Sequence, residues 1–258
     1  PILAVVIYMI AQGAPAISWE FLTGFPREGM RAGGIWPAIV GTFYLTLGTA
    51  LFAVPVGLGA AIYLSEYAQD NRWTRTIRIA IINLAGIPSV VYGLFGLGMF
   101  VLFLRFGTSI LAGSLTLAIM TLPVIISTAE EALRAVPQSF RVVSISLGGT
   151  RWQTIQRVVL PEALPGILTG VILGLERAAG ETAPILFTVA AFFLPRLPSS
   201  PLDATMALPY HLFVISTQVP GMPIQIQYGT ALVLLIFVLG MNLTANAIRS
   251  RARARRQW

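Results

Sequence analysis

The chain has 258 residues, 56% of them hydrophobic and only 10% charged, with a formal net charge of +7. A soluble domain carries about 25% charged residues, so this composition describes a polytopic membrane protein. All seventeen basic residues are arginine and cysteine is absent, which excludes a Walker A loop with its Gly-Lys pair, disulfides, thiolate metal sites and thiol catalysis; the lone His211 argues against histidine-based metal sites and triads.

Pro1 to about Gln12 reads as the end of a first transmembrane helix. It has no initiator methionine and lies inside an apolar run, so the expectation is a chain lacking upstream residues, not a signal peptide. A loop follows from Gly13 to Gly34, then a second span over Ile35–Leu64 and a polar segment over Ser65–Arg78. The third span is expected over Ile79–Leu104 and the fourth over Ser109–Ala129, joined by a short turn at Arg105–Thr108. Glu130–Leu160 is polar and amphipathic, a fifth span runs from Pro161 to Phe193, a Pro-rich loop covers Leu194–Gln227, and a sixth span covers Tyr228–Ala247. Each span supplies the roughly 20 apolar residues that cross about 30 Å of hydrocarbon. A basic tail, Arg249 to Arg256, closes the chain and is expected to fray. Trp19, Phe21 and Tyr210 read as interfacial anchors.

Arginine sets the orientation. Twelve arginines fall on one side, in the 65–78 and 130–160 segments and the tail, and four (Arg27, Arg31, Arg105 and Arg196) on the other. The positive side is cytoplasmic, so six spans place both ends inside.

Glu130–Leu160 reads as helix, turn, helix. Phe140, Val143 and Leu147 form an apolar stripe, Gly148-Gly149 breaks the helix, and Thr150-x-x-Gln153 supplies a capping box. Trp152, Ile155 and Val159 then repeat the stripe. Two roles stay open from pattern alone: an interfacial helix at the membrane surface, or a plug for a groove on a soluble partner.

The fifth span carries the oddest residues. Glu176, Arg177 and Glu181 sit within an apolar run, where each costs roughly 2.5–3.5 kcal/mol on insertion scales, so protein or water must surround them. Arg177 lies sixteen residues past Pro161, roughly 24 Å along a helix, too deep to snorkel easily to the cytoplasmic surface. Arg177 and Glu181, four apart, are expected to share a helix face. Pro184 deprives the Gly180 carbonyl of its helical donor, which predicts a kink beside the charges. A guanidinium suits an oxyanion; the alternative is an ion pair that only holds the bundle. The three charges sum to −1, so a second subunit is expected to bring positive charge, or a carboxylate to accept a proton-bearing anion oxygen. His211 reads as a surface or packing residue, and Glu130-Glu131 beside Arg134 as a solvated helix-end network or a partner contact.

Gly148, then Val158 ten residues on, then Leu160-Pro161, resembles the EAA loop of ABC importer permeases. The Glu-Ala-Ala positions hold Val142-Val143-Ser144, so the acidic contact of that loop does not carry over. Arg177-Ala178-Ala179-Gly180-Glu181-Thr182-Ala183-Pro184, together with Ala61–Tyr67 and Gly86–Gly93, resembles the A-type permease subunit of bacterial phosphate importers (PstA), over about Pro15 to Asn246. The resemblance implies an all-α type I importer permease fold of about six transmembrane helices, the first truncated, in one domain with a coupling hairpin at about 137–160 and a cytoplasmic tail at 249–258. It implies a subunit of a heterodimeric phosphate channel in the bacterial inner membrane, not an enzyme. It also implies that the chain itself binds no cofactor and that ATP and Mg belong to a separate ATPase dimer (PstB-like). The further partners are a second permease (PstC-like) and a phosphate-binding protein (PstS-like), with no nucleic acid. Glu176, Arg177, Gly180, Glu181, Thr182 and Pro184 then line the substrate pathway. Phe140, Arg141, Leu147, Gly148, Gly149, Arg151, Trp152, Leu160 and Pro161 couple to the ATPase. A sulfate or molybdate permease and an ion-coupled secondary transporter are the alternatives; an intramembrane enzyme is opposed by the missing ligand and nucleophile types.

Overall fold

A computed structural model describes residues 2–254, almost all of them helical where they are apolar. Among the described residues, four helices are long and apolar enough to cross a membrane: α3 (Trp36–Tyr67), α6 (Ile110–Arg134), α8 (Arg151–Gly180) and α11 (Ile224–Ala254, apolar through Ala247). The two other expected spans are a short apolar helix α1 (Ile2–Gly13) and a broken pair, α4 (Arg72–Ala85) and α5 (Ser89–Phe103). The third span is therefore not one helix from 79 to 104. Gly86 ends α4, and Pro88, extended and without an N–H, opens α5. Shorter helices fill the loops: α2 (Trp19–Thr23), α7 (Gln138–Ser146), α9 (Ala183–Thr188) and α10 (Leu208–Thr217). Of the tail, the backbone remains helical through Ala254, so it does not fray where it is described. Residues 255–258 and the side chains of Arg249, Arg251 and Arg253 lie outside the described residues.

The chain divides into two compact units, Pro1–Thr49, Pro88–Leu117 and Ala178–Gly240 in one, and Ala50–Ile87, Ala118–Arg177 and Met241–Trp258 in the other. In the first unit, the loop expected over 13–34 holds α2, capped by Ser18, and a two-stranded hairpin pairing Pro26–Arg27 with Ala32–Gly33. Arg31 ties this hairpin to the carbonyl of Pro220 at 2.8 Å. The Pro-rich segment is organised as well. Carbonyls of Thr188, Pro201 and Asp203 accept from the N–H groups of Ser109, Leu111 and Ile110 at 2.9 Å each, satisfying donors that the start of α6 leaves open. Asp203 in turn accepts from the backbone and hydroxyl of Ser199, which hold its carboxyl below the usual carboxylate range. Thr42 accepts from Leu208 N at 2.8 Å and so anchors the start of α10 against α3.

Of the three expected anchors, only Trp19 is exposed; Phe21 and Tyr210 are buried. Both aromatic rings are consumed by packing within the first unit. His211 is a packing residue, 2% exposed, and its Nδ1 has no hydrogen-bond partner among the described residues. Burial pushes its imidazole from 6.5 down to about 4. An unfolded chain takes up that proton near 6.5 and the folded chain does not, so stability is expected to fall as pH drops from about 6.5 to about 4. Thermal unfolding of the purified chain across that window checks this, and His211→Leu should flatten the dependence.

The second unit is packed on small residues. Gly166, Gly170 and Gly174 of α8 face Ala132, Thr128, and Ile125 with Thr121 on α6. A Cβ at Gly166 would come within 2.6 Å of the Ala132 Cβ, and one at Gly170 would overlap the Thr128 side chain. This spacing of four lets two helices approach closely without a hydrophobic drive between them. Ala61, Leu133, Val159 and Ile167 complete the core beside it. Gly170→Val is expected to cost at least about 1–3 kcal/mol through overpacking, read as a lower unfolding temperature and less chain in the membrane.

Candidate functional site

The charged stretch does not form a kinked helix. It forms a full break. α8 ends at Gly180, Glu181 N–H turns back to the Ala178 carbonyl at 3.3 Å, and α9 starts at Ala183 with Pro184 in its first turn. That is where proline is favoured, because a first-turn N–H has no helical partner to lose. Glu181 therefore lies one residue beyond the end of α8. Glu176, Arg177, Glu181 and Thr182 are half-buried, Gly180 is exposed and Pro184 is buried. Glu181 borders a cavity of about 10 Å³ with Thr42, Thr46, Ala178 and Ile185, room for about one water. Glu176 Oε1 is out of reach of solvent and has no hydrogen-bond partner among the described residues.

A second motif comes to this break. A Cβ on Gly93 of α5 would sit 3.0 Å from the Ala183 carbonyl and 3.0 Å from the Pro184 Cα, and one on Gly96 would crowd Thr116 and Thr188. Gly93, which closes the Gly86–Gly93 run, and Gly96 beyond it thus let α5 lie directly on α9. Two stretches ninety residues apart in sequence form one surface in the first unit.

The hairpin is built as the residues announce. Gly148 has φ +85°, Gly149 N–H reaches the Ser144 carbonyl at 3.1 Å and Gly148 N–H reaches Ile145 at 2.9 Å, a complete Schellman end to α7. The capping box is present: Gln153 N–H donates to Thr150 Oγ1 at 3.3 Å and Thr150 N–H to Gln153 Oε1 at 2.9 Å. Ser144 and Thr154 hydroxyls join the arms at 2.8 Å.

Its second arm is not a separate helix opening the span at Leu160-Pro161. Arg151 to Gly180 is one helix, with a π-helical turn over Ile155–Val159. The π turn bonds Leu160 N–H to the Ile155 carbonyl, one residue further back than an α-helix would. That looser turn sits just where Pro161, lacking a donor, would otherwise clash.

The stripes also divide. Phe140 and Val143 are about half exposed and Leu147 is 84% exposed, while Ile155 and Val159 are buried in the core. Trp152 remains outside at 54%. The first arm and Trp152 therefore present apolar side chains outward from a locked backbone. Arg141, expected among the residues that couple to the ATPase, points inward, where it meets Glu66. Leu160 and Pro161 are half-buried. Glu130, expected in a solvated network, is buried and held by Arg78 at 2.9 Å and Arg134 at 3.0 Å, whereas Glu131 is exposed. Glu66 was not singled out from sequence; its signal was an acid closing a long apolar run just before three arginines.

The chain belongs to the family of binding-protein-dependent transport system inner membrane components, whose model matches residues 53–256. Relatives narrow the likeness. The chain is 37% identical over 227 residues to phosphate transport system permease protein PstA 1 of Mycobacterium tuberculosis (strain ATCC 25618 / H37Rv), covering 88% of this chain and 73% of that one. It is 36% identical over 252 residues to the probable ABC transporter permease protein YqgI of Bacillus subtilis (strain 168), covering 92% and 85%. Among solved structures, a bacterial ABC transporter importing the acidic polysaccharide alginate superposes with a TM-score of 0.69 at 16% identity, over 96% of this chain and 88% of that one. The MetNI methionine ABC transporter in an inward-facing form superposes with a TM-score of 0.67 at 18% identity, over 84% and 97%. The fold is that of a type I ABC importer permease.

Proposed function

We propose that this chain is the A-type permease subunit of an ATP-driven phosphate importer, coupled through its hairpin to an ATPase on separate chains. The single observation that carries the coupling is the hairpin itself: a backbone locked by a Schellman end and a capping box, with Leu147 84% exposed at its tip. A side chain of that kind, held rigidly outward, suits a groove on a soluble partner better than a fluid interface. Phosphate as the cargo is supported by the PstA-named relatives and by Arg177, whose planar fork matches phosphate oxygens. The arginine-rich segments put the hairpin and the C-terminus in the cytoplasm. A second permease subunit faces the charged break and brings a cation to Glu176, whose Oε1 lacks a hydrogen-bond partner among the described residues; a binding protein delivers the anion from outside. The hairpin's first arm and Trp152 make the contact with the ATPase, and Arg141 holds the hairpin in shape from within.

Co-expression with candidate ATPase and second permease chains, followed by co-purification and radiolabelled phosphate uptake in vesicles, tests this reading. ATP-dependent phosphate uptake resistant to excess sulfate is the expected result. Uptake that persists without ATP and collapses with the proton gradient sinks it.

A further inference from the structure

Arg141 and Glu66 form an enclosed ion pair. Their side chains are 12% and 9% exposed. The contact is two-pronged: Arg141 Nη2 donates to Glu66 Oε1 at 2.7 Å and Nε to Oε2 at 3.2 Å. The same guanidinium donates to the carbonyls of Val136 at 2.7 Å and Leu133 at 2.9 Å. One side chain of α7 thus holds both the end of α6 and the last turn of α3. From the other arm, Arg151 donates to the Glu66 carbonyl and lies over the Tyr67 ring, 5.0 Å from its centre. Glu66 is therefore gripped twice, by its carboxylate from the first arm and by its carbonyl from the second. It sits in a π-helical turn, Tyr63–Tyr67, closed by Ala68 N–H on the Tyr63 carbonyl at 2.8 Å. Such turns interrupt the regular ladder and recur where helices carry function.

The two arms differ in how they reach the spans. The second arm is continuous with α8, so a push on it travels along one helix. The first arm is joined to α6 by a short link and meets α3 through side chains. We infer that Glu66 is the positioning residue that makes α3 move with the hairpin, with Arg141 and Arg151 as its two grips. The inference rests on the hairpin docking on an ATPase. It also accounts for an acid at the end of α3 in a chain whose own hairpin has none at 142–144. A buried bidentate pair tolerates little change of geometry, because losing one partner leaves the other charge uncompensated. Glu66 therefore behaves as a rigid joint.

The test uses the assembled transporter. Glu66→Gln is expected to lower phosphate uptake per ATP hydrolysed by about tenfold or more, with ATPase turnover and co-purification retained, and Glu66→Asp to recover part of the loss. The chain has no cysteine, so spin labels can be placed at Gln156, exposed on the second arm, and at Tyr63, more than half exposed near the end of α3. In the unaltered complex their separation should stay single and unchanged on adding ATP, and Glu66→Gln should spread it. Glu66→Gln with uptake per ATP unchanged overturns the inference. So does a label distance that shifts with ATP in the unaltered complex, and so does a Glu66→Gln chain that fails to assemble while Glu66→Asp also fails. If the unaltered complex takes up no phosphate, the cargo reading fails, and the label distances still decide the joint.

Discussion

Arg177→Gln is expected to lower phosphate uptake by about 10- to 100-fold while leaving the amount of assembled transporter unchanged. A charge-assisted hydrogen bond between guanidinium and an anion is worth about 1.5–3 kcal/mol, and each 1.4 kcal/mol is tenfold. Arg177→Lys keeps the charge and loses the fork, so an intermediate rate is expected. The competing account makes Arg177 one side of an ion pair that holds the bundle together. It forecasts the opposite pattern: less assembled protein in Arg177→Gln, and unaltered uptake per assembled complex. Quantifying the complex by co-purification alongside vesicle uptake separates the two. In either account Arg177 is half-buried within one turn of the helix end at Gly180. The last turn of a helix carries free carbonyls, and these favour a cation there.

The second large effect is expected at the hairpin tip. Leu147→Asp combined with Trp152→Ala should reduce recovery of the ATPase with this chain by about tenfold or more, since anchors in a desolvated groove cost about 2 kcal/mol or more when removed. The chain's own amount in the membrane should not change, because Leu147 and Trp152 are 84% and 54% exposed and support little within it. Ile155→Asp is the contrast. That side chain is 1% exposed, next to the second unit's core, so the substitution buries an unpaired charge and should lower stability before docking is reached. A double variant that lowers chain abundance as much as Ile155→Asp would remove the outward-facing reading of the stripe.

Much of the hairpin was legible in the residues. A Gly-Gly pair after an apolar stripe, with Thr and Gln three apart behind it, specifies a helix end and a helix start by local hydrogen bonding alone. The structure supplies both with the expected partners. The stripe was less legible. Spacing identifies which side chains share a face and says nothing of what covers that face. Phe140, Val143 and Leu147 follow one period and stay outside; Ile155 and Val159 follow the same period and are buried. The difference is set by what lies opposite each arm: Ile155 and Val159 belong to the helix that packs against α6, and the first arm does not.

The charged break shows the same division. Three ionisable groups in an apolar run, and a proline four residues after a glycine, were enough to mark Glu176–Pro184 and to forecast a disturbed helix. Whether the chain bends or stops depends on a neighbour. α9 can start afresh because Gly93 and Gly96 leave room for it against α5, a contact between distant stretches that no local pattern contains. Glu66 and Arg141 are seventy-five residues apart, and an acid at the end of an apolar run is ordinary until its partner is known.

Composition and local pattern by themselves determined the class of this protein: apolar spans, their arginine-marked sides, the absence of a nucleotide loop, the capped hairpin and the site of the break. Those properties follow from the cost of placing each residue type in hydrocarbon and from hydrogen bonds that span a few residues. The tertiary structure decided which helices are continuous, which apolar faces are left over for partners and which charges are paired. These depend on close approach between segments far apart in the chain, through glycines that a longer side chain would push apart and arginines whose acceptors lie on other helices.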